Sequence, residues 1–241
     1  MPQERVALIT GAARGLGYEV ARQLAALDHE VIVTARDPGR AHHAAQELGP
    51  RVTALPVGLD IADETSVDRA VTALTDLTGR LDVLVNNAAA YVDWTETATV
   101  ADLGAARRVL DTNLFGTWRL TQALLPMLRR SPTPRIVNVS SGAGSHEDTA
   151  FGLRVRGGAA ASYGISKAAL NALTSTLAAE LAGTPILVNA ICPGLTATWP
   201  GAESGGARPA AESAHGVIWA ATLPADGPTG EFFRDRRPLP W

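Results

Sequence analysis

Tyr163 and Lys167 are the residues of this sequence best suited to moving a proton, and they lie four positions apart. On a helix this spacing places both side chains on one face. A phenol has an ordinary pKa of about 10, and a neighbouring ammonium would stabilise the phenolate and lower that pKa. The pair therefore predicts a general acid–base group, although the same spacing is also common by chance among surface residues.

Two hydroxyls and an amide precede this pair in the chain. Ser140 and Ser141 follow an apolar, strand-like segment, and Asn113 lies in an earlier helical segment. A hydroxyl at Ser141 could bind a substrate oxygen on which negative charge develops during hydride transfer. The order of these residues gives Tyr163 and Lys167 a chemical context that the pair alone lacks.

A glycine-rich loop, Thr10–Gly17, follows the first apolar segment and precedes a helical one. Glycines at such a turn let main-chain N–H groups approach a pyrophosphate, and the positive end of the following helix faces the phosphates. A glycine-rich turn without a ligand is the alternative, which the flanking strand and helix disfavour. The predicted contacts from this loop are Gly11, Arg14, Gly15, Leu16 and Gly17.

The end of the second apolar segment discriminates between the two nicotinamide dinucleotides. An acidic residue there would bind the ribose 2′-hydroxyl of NAD(H), whereas an arginine suits the 2′-phosphate of NADP(H). The sequence has Arg36 at this place, with Arg14 as a second partner, while Asp37 could still turn toward the ribose. NADP(H) is therefore the preferred cofactor, and NAD(H) is also possible. The alternative interpretation of Arg36 is a solvated loop cation that binds no phosphate.

The elements that must position these residues alternate between short apolar runs and helical segments. Near-continuous runs of Val, Leu and Ile are typical of strands covered on both faces. The third run contains Pro56, which an edge strand tolerates. The predicted strands are 6–9, 31–33, 52–57, 83–85, 136–139 and 187–191, and the predicted helices include 16–27, 41–48, 67–77, 109–128 and 168–181.

This alternation predicts an α/β fold. We expect a Rossmann-type, doubly wound, mostly parallel sheet of about seven strands in the order 3-2-1-4-5-6-7, with helices on both faces. The chain would be a single NAD(P)-binding domain over residues 1–241, with the cofactor-binding half at about 1–90 and the catalytic and substrate-binding elements at about 91–241.

The composition argues against several other classes of protein. The net charge is −3 and the 21 basic residues are scattered, so no nucleic-acid or membrane partner is predicted. The single cysteine, Cys192, excludes an intrachain disulfide, and no apolar run has the length of a membrane span. The five histidines lack metal-ligand spacing. We expect a cytoplasmic protein with a small-molecule substrate and no metal.

In order and type, these motifs resemble the short-chain dehydrogenase/reductase family over essentially the whole chain. Thr10–Gly17 is similar to the family's glycine loop, and Asn86–Ala89 to its N-N-A-G motif. The segments 34–37 and 227–233 and the terminal Trp241 further resemble NADPH-dependent carbonyl reductases. The resemblance implies additional cofactor contacts at Asp60, Ile61, Asn87, Ala88, Tyr163, Lys167, Pro193, Gly194, Thr196 and Thr198.

The resemblance also implies a catalytic tetrad of Asn113, Ser141, Tyr163 and Lys167. Tyr163 would donate a proton to a carbonyl oxygen held by Ser141, Lys167 would bind the nicotinamide ribose, and Asn113 would position a water in a proton relay. The implied function is the reversible reduction of a ketone or aldehyde by NADPH. The alternatives are action on an imine or enone, redox epimerisation, and a non-catalytic dinucleotide sensor of the same fold.

Two departures from the family pattern bear on the structure. Ala89 replaces a glycine, so its main chain must avoid a positive φ. The 21 residues between Ser141 and Tyr163 exceed the usual spacing and could obstruct the helix-pair interface of tetrameric relatives. We therefore expect a monomer or homodimer rather than a tetramer.

The substrate-binding residues are the least determined by the sequence. Trp94, His146, Phe151 and Trp199 fall in segments that should surround a substrate. Cys192 is interpreted as a small packed hydrophobe rather than a nucleophile, and the charged run 234–237 as a solvated face.

Overall fold

The computed structural model describes residues 4–198 and 201–241. The strands are β1 (Val6–Ile9), β2 (Glu30–Val33), β3 (Val52–Ala54), β4 (Val83–Asn86), β5 (Arg135–Val139), β6 (Leu187–Ile191), β7 (Thr196–Ala197), β8 (Arg208–Pro209), β9 (Phe232–Arg234) and β10 (Arg237–Pro238). The α-helices are α1 (Gly15–Ala25), α2 (Pro38–Leu48), α3 (Glu64–Leu77), α4 (Leu103–Leu110), α5 (Thr117–Leu128), α6 (Ala161–Glu180) and α7 (Ala210–Ala221).

Eight of these strands form one sheet in the order β10-β9-β6-β5-β4-β1-β2-β3. Its neighbouring strands are parallel, apart from the antiparallel edge pair β9–β10. The predicted fold class is therefore confirmed, with β9 as the seventh strand and β10 as an eighth that the sequence did not reveal. Strands β7 and β8 form a separate parallel pair.

The central strands are apolar on both faces because helices cover both. Alternate side chains of a strand point to opposite faces. One set packs with α3, α5 and α6, and it includes Leu8, Ile32, Leu84, Ile136 and Val188. The other set packs with α1 and α7, and it includes Ile9, Val33, Val85, Val137 and Ile191. This packing explains why the sequence shows continuous rather than alternating apolar runs.

The third strand is shorter than the predicted 52–57. Strand β3 ends at Ala54, and the N–H of Leu55 still donates to the carbonyl of Val33 at 3.0 Å. Pro56 follows, and in this register its ring nitrogen faces the open edge rather than β2, so it removes no ladder hydrogen bond. The proline lies just beyond this edge strand rather than within it.

The long predicted helix 109–128 is divided in two. A π-helical turn, Asp111–Gly116, joins α4 to α5. A Cβ at Gly116 would lie 2.7 Å from the carbonyl oxygen of Ile61, so glycine lets this turn approach the loop after β3. Such wide turns are frequent at functional sites, and this one carries Asn113.

Helix α6 begins earlier than the predicted 168–181 and contains both Tyr163 and Lys167, as their spacing requires. Helix α7 was not predicted as a helix; its apolar residues include Ala214 and Val217, which join the α1 side of the core. Within the described parts of the chain, no helix has both the length and the apolar character needed to cross a bilayer.

Candidate active site

The glycine loop leaves its main chain open at the carboxyl end of β1. Gly11 and Gly15 have φ of +66° and +59°, which favours glycine. A Cβ at Gly17 would lie 2.5 Å from Nδ2 of Asn87 and 2.7 Å from the carbonyl of Gly11. No described side chain caps the first turn of α1, so its N–H groups are available to an anion.

The Asn-Asn-Ala segment after β4 supports this loop through hydrogen bonds. The hydroxyl of Thr10 accepts from the N–H groups of Asn87 and Ala88, both at 2.9 Å. The amide of Asn87 donates to the carbonyls of Thr10 and Gly11 at 2.8 and 3.1 Å. Ala89 is not among the described residues with positive φ, so its methyl group is accommodated as expected.

Three exposed arginines line the cleft: Arg14 of the glycine loop, Arg36 after β2 and Arg40 of α2. The carboxylate of Asp37 caps α2 by accepting from the N–H of Gly39 at 2.9 Å, and it lies 3.6 Å from Arg40. The acid that could have turned toward a ribose is therefore engaged in starting a helix.

One continuous cleft of about 1850 Å³ joins the glycine loop to Tyr163. Every residue predicted to contact the cofactor lines this cleft: Gly11, Arg14, Gly15, Leu16, Gly17, Arg36, Asp60, Ile61, Asn87, Ala88, Tyr163, Lys167, Pro193, Gly194, Thr196 and Thr198. The volume exceeds the roughly 300–1,000 Å³ of a typical small-molecule pocket, so a dinucleotide and a second small molecule could share it.

Three catalytic candidates line the same cleft. Ser141 follows the carboxyl end of β5, and Tyr163 and Lys167 lie in the first two turns of α6. Lys167 is buried; its ammonium donates to the carbonyl of Val139 at 2.9 Å and lies 5.7 Å from the centre of the Tyr163 ring. Burial lowers the pKa of Lys167 to about 8, because charge is disfavoured away from water.

The pKa of Tyr163 differs from the expectation. Burial raises it well above its ordinary value, Tyr91 raises it further, and a hydrogen bond with Ser141 only partly opposes this shift. Lys167 is not among the groups that lower it. Desolvation is the largest cause of the shift, so the residues of the chain favour Tyr163 as a neutral phenol that can donate a proton.

Asn113 lies behind the cleft wall and is fully buried. Its Oδ1 accepts from the N–H of Ala90 at 2.7 Å, while its Nδ2 donates to the carbonyl of Ala90 at 2.9 Å and to the hydroxyl of Ser166 at 3.0 Å. The side-chain amide thus joins the segment after β4 to α6.

Two aromatic side chains, Tyr91 and Trp94, form a wall against the ring of Tyr163. Tyr91 stacks on it with centroids 5.3 Å apart and an interplanar angle of 21°. Trp94, a predicted substrate contact, meets it edge-on at 5.4 Å. Tyr91 was missed in the sequence, although its place three residues after the Asn-Asn-Ala segment could have indicated it.

The long segment 142–160 is held by an ion pair that the sequence did not reveal. Asp148, which is buried, pairs with Arg234 of β9, and Arg234 also donates to the sulfur of Cys192 at 3.3 Å. The guanidinium lies 5.1 Å from the ring centre of Phe151, which lines the cleft. The expectation of a solvated face at 234–237 is therefore wrong for Arg234.

Of the two remaining substrate candidates, the structure describes only His146, which is not brought into the cleft. His146 is exposed and absent from the cleft lining, and its N–H donates to the carbonyl of Trp241 at 2.9 Å. Trp199 lies outside the described residues. Across 4–198 and 201–241, no three His, Cys, Asp or Glu side chains are grouped as metal ligands would be.

Comparison with known proteins agrees with this geometry. The sequence profile of the family described as short chain dehydrogenase matches residues 5–205. Carbonyl reductase [NADPH] 1 of Bos taurus is 32% identical, and the match covers 98% of each chain.

Two solved structures share the fold. The NADPH-bound carbonyl reductase from chicken fatty liver has a TM-score of 0.84 and 29% identity, and the match covers 99% of this chain and 100% of that one. The 3-ketoacyl-(acyl-carrier-protein) reductase of Brucella melitensis complexed with NADH has a TM-score of 0.82 and 26% identity, with 96% of each chain covered.

The fold and the cleft define an oxidoreductase that uses a nicotinamide dinucleotide. The chain belongs to the short-chain dehydrogenase/reductase family, in which it resembles the carbonyl reductases.

Proposed function

We propose that this protein is an NADPH-dependent reductase that converts a ketone or aldehyde to an alcohol, reversibly. The observation that carries the proposal is the convergence of Ser141, Tyr163 and Lys167 in the same cleft as the glycine loop. The glycine loop, Ser141 and the pair of Tyr163 and Lys167 lie far apart in the chain, and a glycine-rich turn without a ligand would not require them to meet.

The residues of the cleft fit a dinucleotide. The positive φ of Gly11 and Gly15 and the close contacts of Gly17 keep side chains out of the place where a pyrophosphate would approach. Asp60 and Ile61 would contact the adenine end, and Pro193, Gly194, Thr196 and Thr198 the nicotinamide end. The bound cofactor would supply the hydride.

The proton would come from Tyr163. Its neutral phenol would donate to the substrate oxygen, and the hydroxyl of Ser141 would hold that oxygen while charge develops on it. Lys167 would bind the ribose hydroxyls. It would also pass a proton toward Tyr163 to replace the one that Tyr163 donates. Asn113 would support this relay in two ways. Its side chain would fix the main chain at Ala90, and its main-chain carbonyl would accept a hydrogen bond from a water.

Three arginines of the cleft support a preference for NADP(H). Arg14, Arg36 and Arg40 line the same cleft as the glycine loop and would be available to a 2′-phosphate, while Asp37 is occupied with the start of α2. Guanidinium groups suit phosphate because they offer several fixed donors. The Bos taurus carbonyl reductase, named for NADPH, supports the same preference.

A monomer or homodimer remains the proposed assembly. Phe115, Trp118 and Ile165 are exposed apolar side chains on the π-turn, α5 and α6, and they offer a face that a second copy could cover. Light scattering at several concentrations would test this proposal.

Substitution of Tyr163 by phenylalanine tests the proposed chemistry. NADPH oxidation should be followed with a panel of aldehydes, ketones, quinones and imines. We expect turnover to fall by about 10³-fold, because the proton donor is lost, while NADPH affinity stays within about twofold. Equal rates in the two proteins would contradict the proposal, and activity confined to imines would favour the alternative chemistry.

Substitution of Arg36 by alanine tests the cofactor preference. We expect NADPH affinity to fall by about 10- to 100-fold with little change for NADH, because a charge-assisted contact to the 2′-phosphate is removed. Arg69→Ala, an exposed arginine of α3 away from the cleft, is the matched control. An equal loss for both dinucleotides would remove Arg36 from the phosphate site.

A further inference from the structure

The helix that carries Tyr163 begins without a local cap. It starts at Ala161, and the preceding Ala160 is in the left-handed region, with φ 56° and ψ 42°, and has no side-chain acceptor. The first N–H groups of a helix lack partners within the helix and must find them elsewhere.

Glu96 supplies those partners from a distant segment. Its Oε2 accepts from the N–H and the hydroxyl of Ser162, at 2.9 and 2.6 Å. Its main-chain carbonyl accepts from the N–H of Ala161 at 3.3 Å. A carboxylate is favoured at this end of a helix, where it meets the positive end of the dipole and forms charge-assisted hydrogen bonds.

The segment that contains Glu96 also forms the aromatic wall. Tyr91 and Trp94 pack on the ring of Tyr163, and Glu96 binds the residue immediately before that tyrosine. Asn113 holds the start of the same segment through Ala90. One short stretch of chain therefore contacts both the phenol ring and the first turn of its helix.

We propose that Glu96 is a positioning residue that fixes the first turn of α6 and the aromatic wall as one unit, and so sets where Tyr163 meets the substrate carbonyl. This inference rests on the proposed role of Tyr163 as proton donor. Release of the contact would shift the phenol relative to the wall, and a misplacement of about 1 Å can cost about 100-fold in rate. Glu96 is absent from the cleft lining, so dinucleotide affinity would not depend on it.

The test compares Glu96→Ala, Glu96→Gln and Ser162→Ala with the wild type. We expect Glu96→Ala to lower kcat/KM for the carbonyl substrate by about 10- to 100-fold, with a fall in kcat and a rise in KM. Glu96→Gln should recover most of the loss, because its amide oxygen still accepts from Ser162. The double variant Glu96→Ala/Ser162→Ala should be no worse than Glu96→Ala alone, because both changes remove the same contact.

Asp93→Ala is the matched control within the same segment. Asp93 accepts from the N–H and hydroxyl of Thr95, at 2.8 and 2.6 Å. We expect this variant to keep wild-type kcat and NADPH affinity. Wild-type kinetics in Glu96→Ala, an equal loss in Asp93→Ala, or a parallel fall in NADPH affinity would overturn the proposal.

Hydrogen exchange by mass spectrometry gives a readout that does not need turnover. Peptides covering 91–97 and 161–166 should exchange faster in Glu96→Ala, but not in Glu96→Gln or Asp93→Ala. Unchanged exchange in Glu96→Ala would contradict the contact itself. Full activity in Tyr163→Phe would instead overturn the proposed function. Hydrogen exchange in Glu96→Ala would still decide whether Glu96 orders the start of α6.

Discussion

The two sides of the cleft are ordered by different kinds of contact. On the dinucleotide side, the uncharged side chains of Thr10 and Asn87 bind main-chain groups, and the glycines of the loop leave room for a ligand. On the substrate side, the segments 91–97 and 142–160 are held by carboxylates, Glu96 with Ser162 and Asp148 with Arg234.

This difference predicts opposite sensitivities to substitution. The dinucleotide side depends on the absence of side chains at its glycines, so a methyl group added there should weaken dinucleotide binding. The substrate side depends on the presence of particular side chains, so truncation should harm it while dinucleotide binding persists. Two substitutions test this contrast, and a third measurement tests the burial of Lys167 between the two sides.

The largest effect is expected from Gly17→Ala. The new Cβ would lie 2.5 Å from Nδ2 of Asn87 and 2.7 Å from the carbonyl of Gly11, so the loop must move. We expect dinucleotide affinity, measured by fluorescence titration, to fall by about 100-fold. In Gly79→Ala, where a Cβ would meet nothing within 4 Å, it should be unchanged. Normal affinity in Gly17→Ala would break the contrast.

A smaller effect, confined to the substrate side, is expected from Asp148→Ala. The change leaves Arg234 without its carboxylate and the N–H of Ala150 without its acceptor at 2.9 Å. Because Arg234 is partly exposed, we expect a loss of about 2 kcal/mol in the free energy of unfolding, below that of a fully buried pair. The carbonyl KM should rise by about tenfold.

The control for Asp148→Ala is Glu147→Ala, which changes the exposed residue next to it. This control should match the wild type in the free energy of unfolding by urea and in the KM for the carbonyl substrate. If Asp148→Ala weakened dinucleotide binding as much as it raised the carbonyl KM, the two sides would not be independent.

The smallest effect concerns the pH dependence of stability. The pKa of Lys167 is about 8 in the folded protein against an ordinary 10.5, so between these values the unfolded chain binds the extra proton. Stability contributed by this group therefore increases as pH rises above 8. Relative to Lys167→Met, the free energy of unfolding of the wild type, measured by urea denaturation, should increase by on the order of 1–2 kcal/mol between pH 7 and 9.5. A flat difference between the two proteins would show that Lys167 is not desolvated.

The same contrast explains which features the sequence predicted. The sheet and the glycine loop follow from local patterns: apolar runs such as Val6–Ile9, and glycines at fixed spacing before a helix. The position of Lys167 beside Tyr163 follows from one helical turn. These features need only short-range information, and the structure places them as expected.

The substrate side was predicted poorly because its contacts cross long stretches of chain. Glu96 lies 66 residues from Ser162, and Asp148 lies 86 residues from Arg234. Nothing near Glu96 or Arg234 in the sequence distinguishes them from solvated charges. The raised pKa of Tyr163 was likewise missed, because burial by Tyr91 and Trp94 depends on packing that spacing does not encode.

Gly142 illustrates how tightly the substrate side is interlocked. A Cβ there would collide with the terminal atoms of both Arg234 and Asp148, so a side chain at this position would displace the ion pair. Asp148 also accepts from the N–H groups of Ala150 and Phe151. A side chain at 142 would therefore disturb the chain from Ser145 to Phe151 as well as the pair.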